Sequence, residues 1–305
     1  MMQSRISIII CTFNPNESIF RRCLDAIKEA LVGCELYEIL IIDNNSANRF
    51  CEEEYFKAFC NNLPVRLINE PKQGLTPARL RGIKESIGDI LVFIDDDNFI
   101  ALDFFIEGMK VATEYEHIGS WSGRVTLEFE KEPETWTKPY HGLLVKREIK
   151  ENYWSNMPYL TDSMPCGAGL FVRKQVAHYY LELHETGKRI IQLDRNSNSL
   201  FSGGDNDLAA CACDIGMGVG VFYKIELTHY IPVFRTEKSY LMKLAEGIAA
   251  STIVLYSFRG RLPEKMSIKK KIANKLRWVL KSPTQKAFFS AVLEGEKAGR
   301  KMVGL

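Results

Sequence analysis

Three carboxylates stand side by side at Asp95-Asp96-Asp97, directly after the apolar run Ile90-Leu91-Val92-Phe93-Ile94. Adjacent carboxylates repel, and a cation is the least costly way to hold them together. Hard oxygen ligands suit Mg2+ or Mn2+. Mg2+ characteristically takes one or two protein carboxylates and completes its shell with phosphate oxygens and water. The alternative is a solvated acidic turn that closes a strand. A second acidic stretch, Ser202-Gly203-Gly204-Asp205-Asn206-Asp207-Leu208, opens a helical pattern over 208–215. A helix N-terminus favours an ionised carboxylate. Asp205 and Asp207 are therefore candidates for a proton acceptor, or for a helix cap. Between these two stretches lies Met164-Pro165-Cys166-Gly167-Ala168-Gly169-Leu170. Its glycines permit close approach of backbone to a ligand, or a tight turn.

The elements that must position these groups follow from apolar patterning. An unbroken apolar run marks a strand covered on both faces. Residues 90–94 read this way, as do 6–10, interrupted only by Ser7, and the run ending at Ile42 after Glu38, and Val65–Ile68 reads as a further strand. Helical patterns fall between them: Ile19, Cys23, Ala26, Ile27 and Ala30 at helical spacing, then residues 49–62, then a helix ending near Ile87. Thr76 is placed to cap that last helix with Pro77 at its first position. Strand and helix alternate, and polar residues gather after each strand. The pattern predicts an α/β protein with a doubly wound, Rossmann-like mixed sheet, helices on both faces and a site at the carboxyl edge.

At that edge the motifs Ser7-Ile8-Ile9-Ile10-Cys11-Thr12-Phe13-Asn14, Ile41-Ile42-Asp43-Asn44-Asn45-Ser46, Gly74-Leu75-Thr76-Pro77-Ala78-Arg79 and Asp95-Asp96-Asp97 occur in register. In order and spacing they resemble the family 2 glycosyltransferases, whose fold is the GT-A nucleotide-diphospho-sugar fold. The resemblance covers about residues 5–235. It implies that Thr12, Asn14 and Asp43 hold the base and ribose, and that Arg79 lies near the nucleotide. The acidic triplet matches the DxD motif, with Asp97 as direct metal ligand and Asp95 and Asp96 toward the ribose or the metal's waters. Gly167 takes the place beside the donor sugar. Asp205 takes the place of the general base, with Gly204 where the family has Glu, and Asp207 remains open as the alternative. The strand ending Leu227-Thr228-His229-Tyr230-Ile231-Pro232 is similar to the family's Leu-x-His-x-x-Pro, so His229 joins Asp97 at the metal and Arg235 meets the diphosphate. Two further departures are visible. Asp43-Asn44-Asn45-Ser46 replaces Asp-Asp-Gly-Ser, and the Gln-x-x-Arg-Trp motif of processive members is missing, which implies transfer of a single sugar.

The composition agrees with a soluble protein: 305 residues, 46% hydrophobic, 26% charged, formal net charge +2. So balanced a charge gives no argument for nucleic acid. Eight cysteines form no CxxC pair, and the N-terminus shows no signal-peptide core, so a reduced cytoplasmic setting is expected. Trp136, Tyr140, Tyr153, Trp154 and Tyr159 either stack on sugar or pin a long loop to the core. After residue 238 the pattern becomes helical, first over 241–258. Residues 265–281 carry seven Lys or Arg and no acid, with Ile268, Ile272, Leu276, Val279 and Leu280 on one face. That is a basic interfacial helix resting on the inner face of the membrane, or a solvated helix docked by its apolar side.

The expectation is therefore a catalytic unit over 1–238, with a nucleotide half to about residue 100 and an acceptor half beyond, followed by a helical extension over 239–305. Its activity would be inverting, metal-dependent transfer of one sugar from a nucleotide-diphospho-sugar, foremost a UDP-sugar, to a glycan or lipid-linked hydroxyl in bacterial surface glycan assembly. The competitors are a sugar nucleotidyltransferase and an inactive relative serving as scaffold. The first needs a Gly-rich basic loop after the first strand, and Cys11-Thr12-Phe13-Asn14-Pro15-Asn16 has neither Gly nor Lys.

Overall fold

The computed structural model describes residues 5–61, 63–191, 193, 201–261, 267, 269, 276, 278 and 281–305. The strands are β1 (Ile6–Thr12), β2 (Tyr37–Asp43), β3 (Val65–Asn69), β4 (Ile90–Asp95), β5 (Asn98–Ile100), β6 (Ile118–Phe129), β7 (Tyr153–Ser155), β8 (Leu170–Arg173) and β9 (Gly218–Ile231). The helices are α1 (Glu17–Ala30), α2 (Glu54–Cys60), α3 (Leu75–Glu85), α4 (Phe104–Glu114), α5 (Lys174–Glu185), α6 (Gly204–Asp214), α7 (Lys238–Ser257) and α8 (Pro283–Met302).

Among the described residues nine strands join one sheet in the order β3-β2-β1-β4-β8-β6-β9-β5, with β7 on the side of β9. The first four run parallel. β8 is antiparallel to β4 and β6, β9 is parallel to β6, and β5 is antiparallel to β9. The result is a mixed α/β sheet. The unbroken apolar runs reflect burial on both faces: Ile8 and Ile10 enter the core beneath α1 and α4, while Ile9 enters the core beneath α3, α5 and α6.

Three local expectations need correction. The helix expected over 49–62 is a 3-10 turn, Phe50–Glu52, followed by α2, because Glu53 is extended between them. α3 begins at Leu75, so its N-cap is Gly74 rather than Thr76, and Pro77 sits at its third position. Gly74 has φ +129°, which only glycine adopts readily. α6 begins at Gly204, four residues earlier than expected, which draws both Asp205 and Asp207 into its first turn.

After β9 the chain forms α7, then returns along it as α8. The two axes approach closely because α8 presents glycine at the contact. A Cβ on Gly295 would lie 2.2 Å from the Glu246 carbonyl oxygen, and one on Gly299 2.6 Å from that of Ala250. Ser282 and Gln285 form a capping box that starts α8. No helix among the described residues is long and apolar enough to cross a membrane. The basic helix expected over 265–281 lies largely outside the described residues.

Candidate active site

Strand register assembles the first wall of the site. Thr12 at the end of β1 stands opposite Asp43 at the end of β2, and Cys11 opposite Asp95 at the end of β4. The Thr12 hydroxyl donates to Asp96 Oδ2 at 2.5 Å. Asp43 Oδ1 accepts the Ser46 amide at 3.0 Å, turning the chain after β2. Asn14 has φ +48°, a region that Asn tolerates. Its side-chain oxygen accepts the Ala47 and Asn48 amides at 2.7 and 3.3 Å, so it ties the first turn to the second. Asn44 does the same one loop further on. Its Nδ2 donates to the Glu70 and Lys72 carbonyls, and its Oδ1 accepts the Gly74 amide at 2.7 Å. Arg79, on the second turn of α3, is buried and lines the cleft with its charge near Asp95.

The acidic corner comes next. β5 follows the triplet at once and pairs antiparallel with β9, which places Asn98 opposite His229. His229 Nε2 thereby comes within 3.5 Å of Asp97 Oδ2. The other ring nitrogen, Nδ1, lies 3.1 Å from the Leu144 carbonyl, an obligate acceptor. Nδ1 therefore carries a proton, and Nε2 is the ring nitrogen that faces Asp97. Arg235 reaches into the same corner, its Nη1 3.0 Å from Asp97 Oδ2 and 3.3 Å from His229 Nε2. Its Nε is buried with no hydrogen-bond partner among the described residues. Burial and the charge of Asp97 push the Asp96 carboxyl up to about 7, against the Thr12 hydrogen bond. Burial followed by Asp97 likewise raises Asp95, although Arg79 and His229 oppose it. Burial disfavours the Arg235 cation, yet Asp97 and Asp95 more than offset this and raise its pKa.

The opposite wall separates the two carboxylates of α6. Asp205 faces the cleft, and the Gly167 amide donates to its Oδ2 at 2.6 Å. Only glycine fits there, since a Cβ on residue 167 would lie 2.7 Å from the same oxygen. Asp207 is buried on the other side. It receives Arg189 Nε at 2.7 Å and Arg259 Nη1 at 2.8 Å, while Asp214 takes Arg259 Nη2 at 2.8 Å. Its charge is already neutralised, whereas Asp205 lies open to the cleft.

A single cleft of about 390 Å3 thus brings together Arg79, Asp95, Asp96, Asp97, Gly167, Asp205, His229 and Arg235. Residues 7–180 match the profile of glycosyl transferase family 2, more than half of the chain. The chain belongs to this family. Among similar curated proteins are glycosyltransferase AglE of Haloferax volcanii, 37% identical over 93 residues, and the dolichol-phosphate mannosyltransferase of Pyrococcus furiosus, 35% identical over 94 residues. Each match takes in 30% of this chain and 30% or 26% of the relative, so the chain spans under a third of those proteins. The fold is similar to the mannosyltransferase PcManGT of Pyrobaculum calidifontis, solved with GDP-Man and Mn2+. The TM-score is 0.54 at 13% identity, over 98% of this chain and 88% of that one. It is also similar to GalNAc-T7, solved with UDP, GalNAc and Mn2+, with a TM-score of 0.53 at 14% identity over 91% and 57% of the two chains.

Several residues of this family 2 site carry little sequence signal. Phe13 lines the cleft with half its surface exposed. Val145 also lines it, in the left-handed region at φ +70°. The aromatic stretch divides: Trp136 and Tyr140 pack on Phe288 of α8, whereas Tyr153 and Trp154 lie exposed on β7. Trp136 and Tyr140 therefore pin the loop, and neither lines the cleft.

Proposed function

We propose that this chain is an inverting, metal-dependent glycosyltransferase that moves one sugar from a nucleoside-diphosphate sugar to an acceptor hydroxyl. The observation that carries the proposal is the meeting of Asp97, His229 and Arg235 with Asp205, whose carboxylate accepts the Gly167 amide, in one cleft. Thr12, Asn14, Asp43 and Arg79 would frame the nucleotide, with Asp95 and Asp96 toward the ribose or the metal's waters.

Asp97 and His229 would hold Mn2+ or Mg2+. The donor set fits: a carboxylate oxygen and an imidazole lone pair 3.5 Å apart, where adjacent ligands on an octahedral ion at roughly 2.1 Å stand about 3 Å apart. Among the described residues no group of three or more His, Cys, Asp or Glu converges on a metal position. Donor phosphate oxygens and water would complete the shell, the usual habit of Mg2+. When bound, the ion neutralises charge that develops on the diphosphate. Arg235, already drawn to this corner, adds a second positive charge on the leaving oxygen. Asp205 accepts the acceptor hydroxyl's proton while that oxygen bonds to the anomeric carbon and the bond to the diphosphate breaks. The Gly167 amide holds the Asp205 carboxylate in place for this step.

The two solved relatives carry GDP-Man in one case and UDP in the other, and a UDP-sugar remains the foremost donor. The acceptor would be a glycan or lipid-linked hydroxyl of a bacterial surface polymer, reached from the cytoplasm. Residues 265–281 would rest on anionic lipid. A one-step displacement inverts the anomeric centre. The test is an NMR spectrum of product formed from a panel of nucleotide sugars with Mn2+. Inverted configuration is expected, and a retained one contradicts the mechanism.

A further inference from the structure

We propose that the helical pair α7–α8 is the positioning element of His229, acting through the main-chain carbonyl of Leu144. The inference rests on the assignment of Asp97 and His229 as a cation pair and deepens it.

His229 has one feature that decides its chemistry: Nδ1 donates to Leu144 O at 3.1 Å, so Nε2 is the nitrogen that faces the corner of Asp97 and Arg235. An imidazole ligand needs its other nitrogen fixed in this way, and loss of the fixing group typically weakens metal affinity tenfold or more. Here the fixing group is a backbone carbonyl, so its direction is set by the chain around it. The Leu144–Val145 peptide is held at both ends, because Val145 N–H donates to the Gly142 carbonyl at 3.1 Å. Val145 is left-handed, at φ +70° and ψ +13°, a conformation that β-branched residues seldom adopt. Such strain persists only where the surroundings over-determine it.

Those surroundings come from the end of the chain. The Leu144 side chain is buried in a cluster with Ile231 of β9, Leu241 and Leu244 of α7 and Phe288 of α8. Tyr140, in the 3-10 segment Thr135–Leu144, stacks on Phe288 with ring centroids 3.7 Å apart and planes 16° apart. Phe288 reaches this segment because Gly295 and Gly299 let α8 lie hard against α7. The physical chain of contact therefore runs from Phe288 to Tyr140 and Leu144, from the Leu144 carbonyl to His229 Nδ1, and from His229 Nε2 to the corner with Asp97. Both helices lie beyond the residues matched by the family profile, 7–180. The extension is thus a structural part of the site and more than a tether.

The experiment uses the full chain with Phe288→Ala, Tyr140→Leu and the stack-preserving Phe288→Tyr. The first readout needs no metal: 15N NMR of the His229 imidazole, assigned by its loss in His229→Gln, at a pH where the ring is neutral. Wild type and Phe288→Tyr should show the Nδ1–H tautomer, and Phe288→Ala a mixture. The second is Mn2+ affinity by EPR, weakened about tenfold or more in Phe288→Ala, with kcat at saturating Mn2+ close to wild type. If Phe288→Ala does not fold, Tyr140→Leu, which removes the same stack from the more exposed side, carries the comparison. A folded variant with wild-type tautomer and wild-type Mn2+ affinity overturns the proposal, as does a wild-type His229 protonated at Nε2. A wild type that shows the Nδ1–H tautomer yet binds no Mn2+ refutes the cation assignment, while the tautomer shift in Phe288→Ala still supports positioning.

Discussion

Two acidic clusters flank the first turn of α6, and they are opposites. On one side Asp207 and Asp214 meet Arg189 and Arg259, two carboxylates with two guanidinium groups at hydrogen-bond distances, all recessed from solvent. On the other side Asp95, Asp96, Asp97 and Asp205 line a cleft whose arginines among the described residues are Arg79 and Arg235. In the first cluster, planar forks match carboxylates and leave no charge unmet. In the second, burial and then the charge of Asp97 raise the Asp95 and Asp96 carboxyls, and Asp96 is pushed up to about 7. Asp205 and Asp207 are two residues apart in one helical turn, so helix geometry alone sends them to opposite clusters. A carboxylate saturated by arginine is structure, and a carboxylate left short of positive charge is available for a cation or a proton.

The largest expected effect separates those two residues. Asp205→Asn removes the proton acceptor and nearly preserves shape, so transfer should fall by about 10²–10⁴ with donor binding close to wild type. Asp207→Asn should do the reverse. Loss of one partner in a buried ion pair costs about 3–5 kcal/mol of stability, seen as a lower midpoint in urea or heat, while turnover per folded molecule is kept. Steady-state kinetics beside equilibrium unfolding of both variants checks the pair. Exchanged phenotypes would break the comparison.

A smaller effect sharpens it from the side of the cleft. Asp96 has a folded-state pKa above its ordinary 3.8, up to about 7. The folded protein therefore holds this proton more tightly than the unfolded chain, and the associated stability is present at low pH. It is lost as pH rises from about 3.8 toward about 7. Without metal, thermal stability should decline across that window, Mn2+ should reduce the decline, and Asp96→Asn should flatten it. An unchanged slope in Asp96→Asn would remove Asp96 from the charge-starved cluster.

Much of the first cluster's counterpart was legible in the sequence, and the rest was hidden for identifiable reasons. The apolar run before Asp95 betrayed a central strand, and the adjacent acids betrayed a corner where carboxylates crowd. Register then did what spacing could not, placing His229 opposite Asn98 across 131 residues of chain. Asn44 looked like a mere departure from a motif, yet it staples the loop after β2 to the loop before α3. Nothing local marks it, because its partners are main-chain groups of another loop. The same holds for Leu144, whose contribution is a carbonyl that any residue possesses. The motif put Asp205 first and left Asp207 as the alternative, and no local signal showed that Arg189 and Arg259 would claim Asp207. Trp136 and Tyr140 were ambiguous for want of a partner, which proved to be Phe288 some 150 residues away.

The central claim is that the charge-starved corner at Asp97 binds a nucleoside diphosphate through a divalent cation. The direct measurement is isothermal titration of UDP and of GDP into wild type and Asp97→Ala, each with Mn2+ and with EDTA, after circular dichroism has confirmed that both are folded. Wild type should bind at least one diphosphate tightly with Mn2+ and far more weakly with EDTA, and Asp97→Ala should lose the Mn2+-dependent part altogether. Equal affinity in wild type with and without Mn2+, or undiminished Mn2+-dependent affinity in folded Asp97→Ala, would contradict the account.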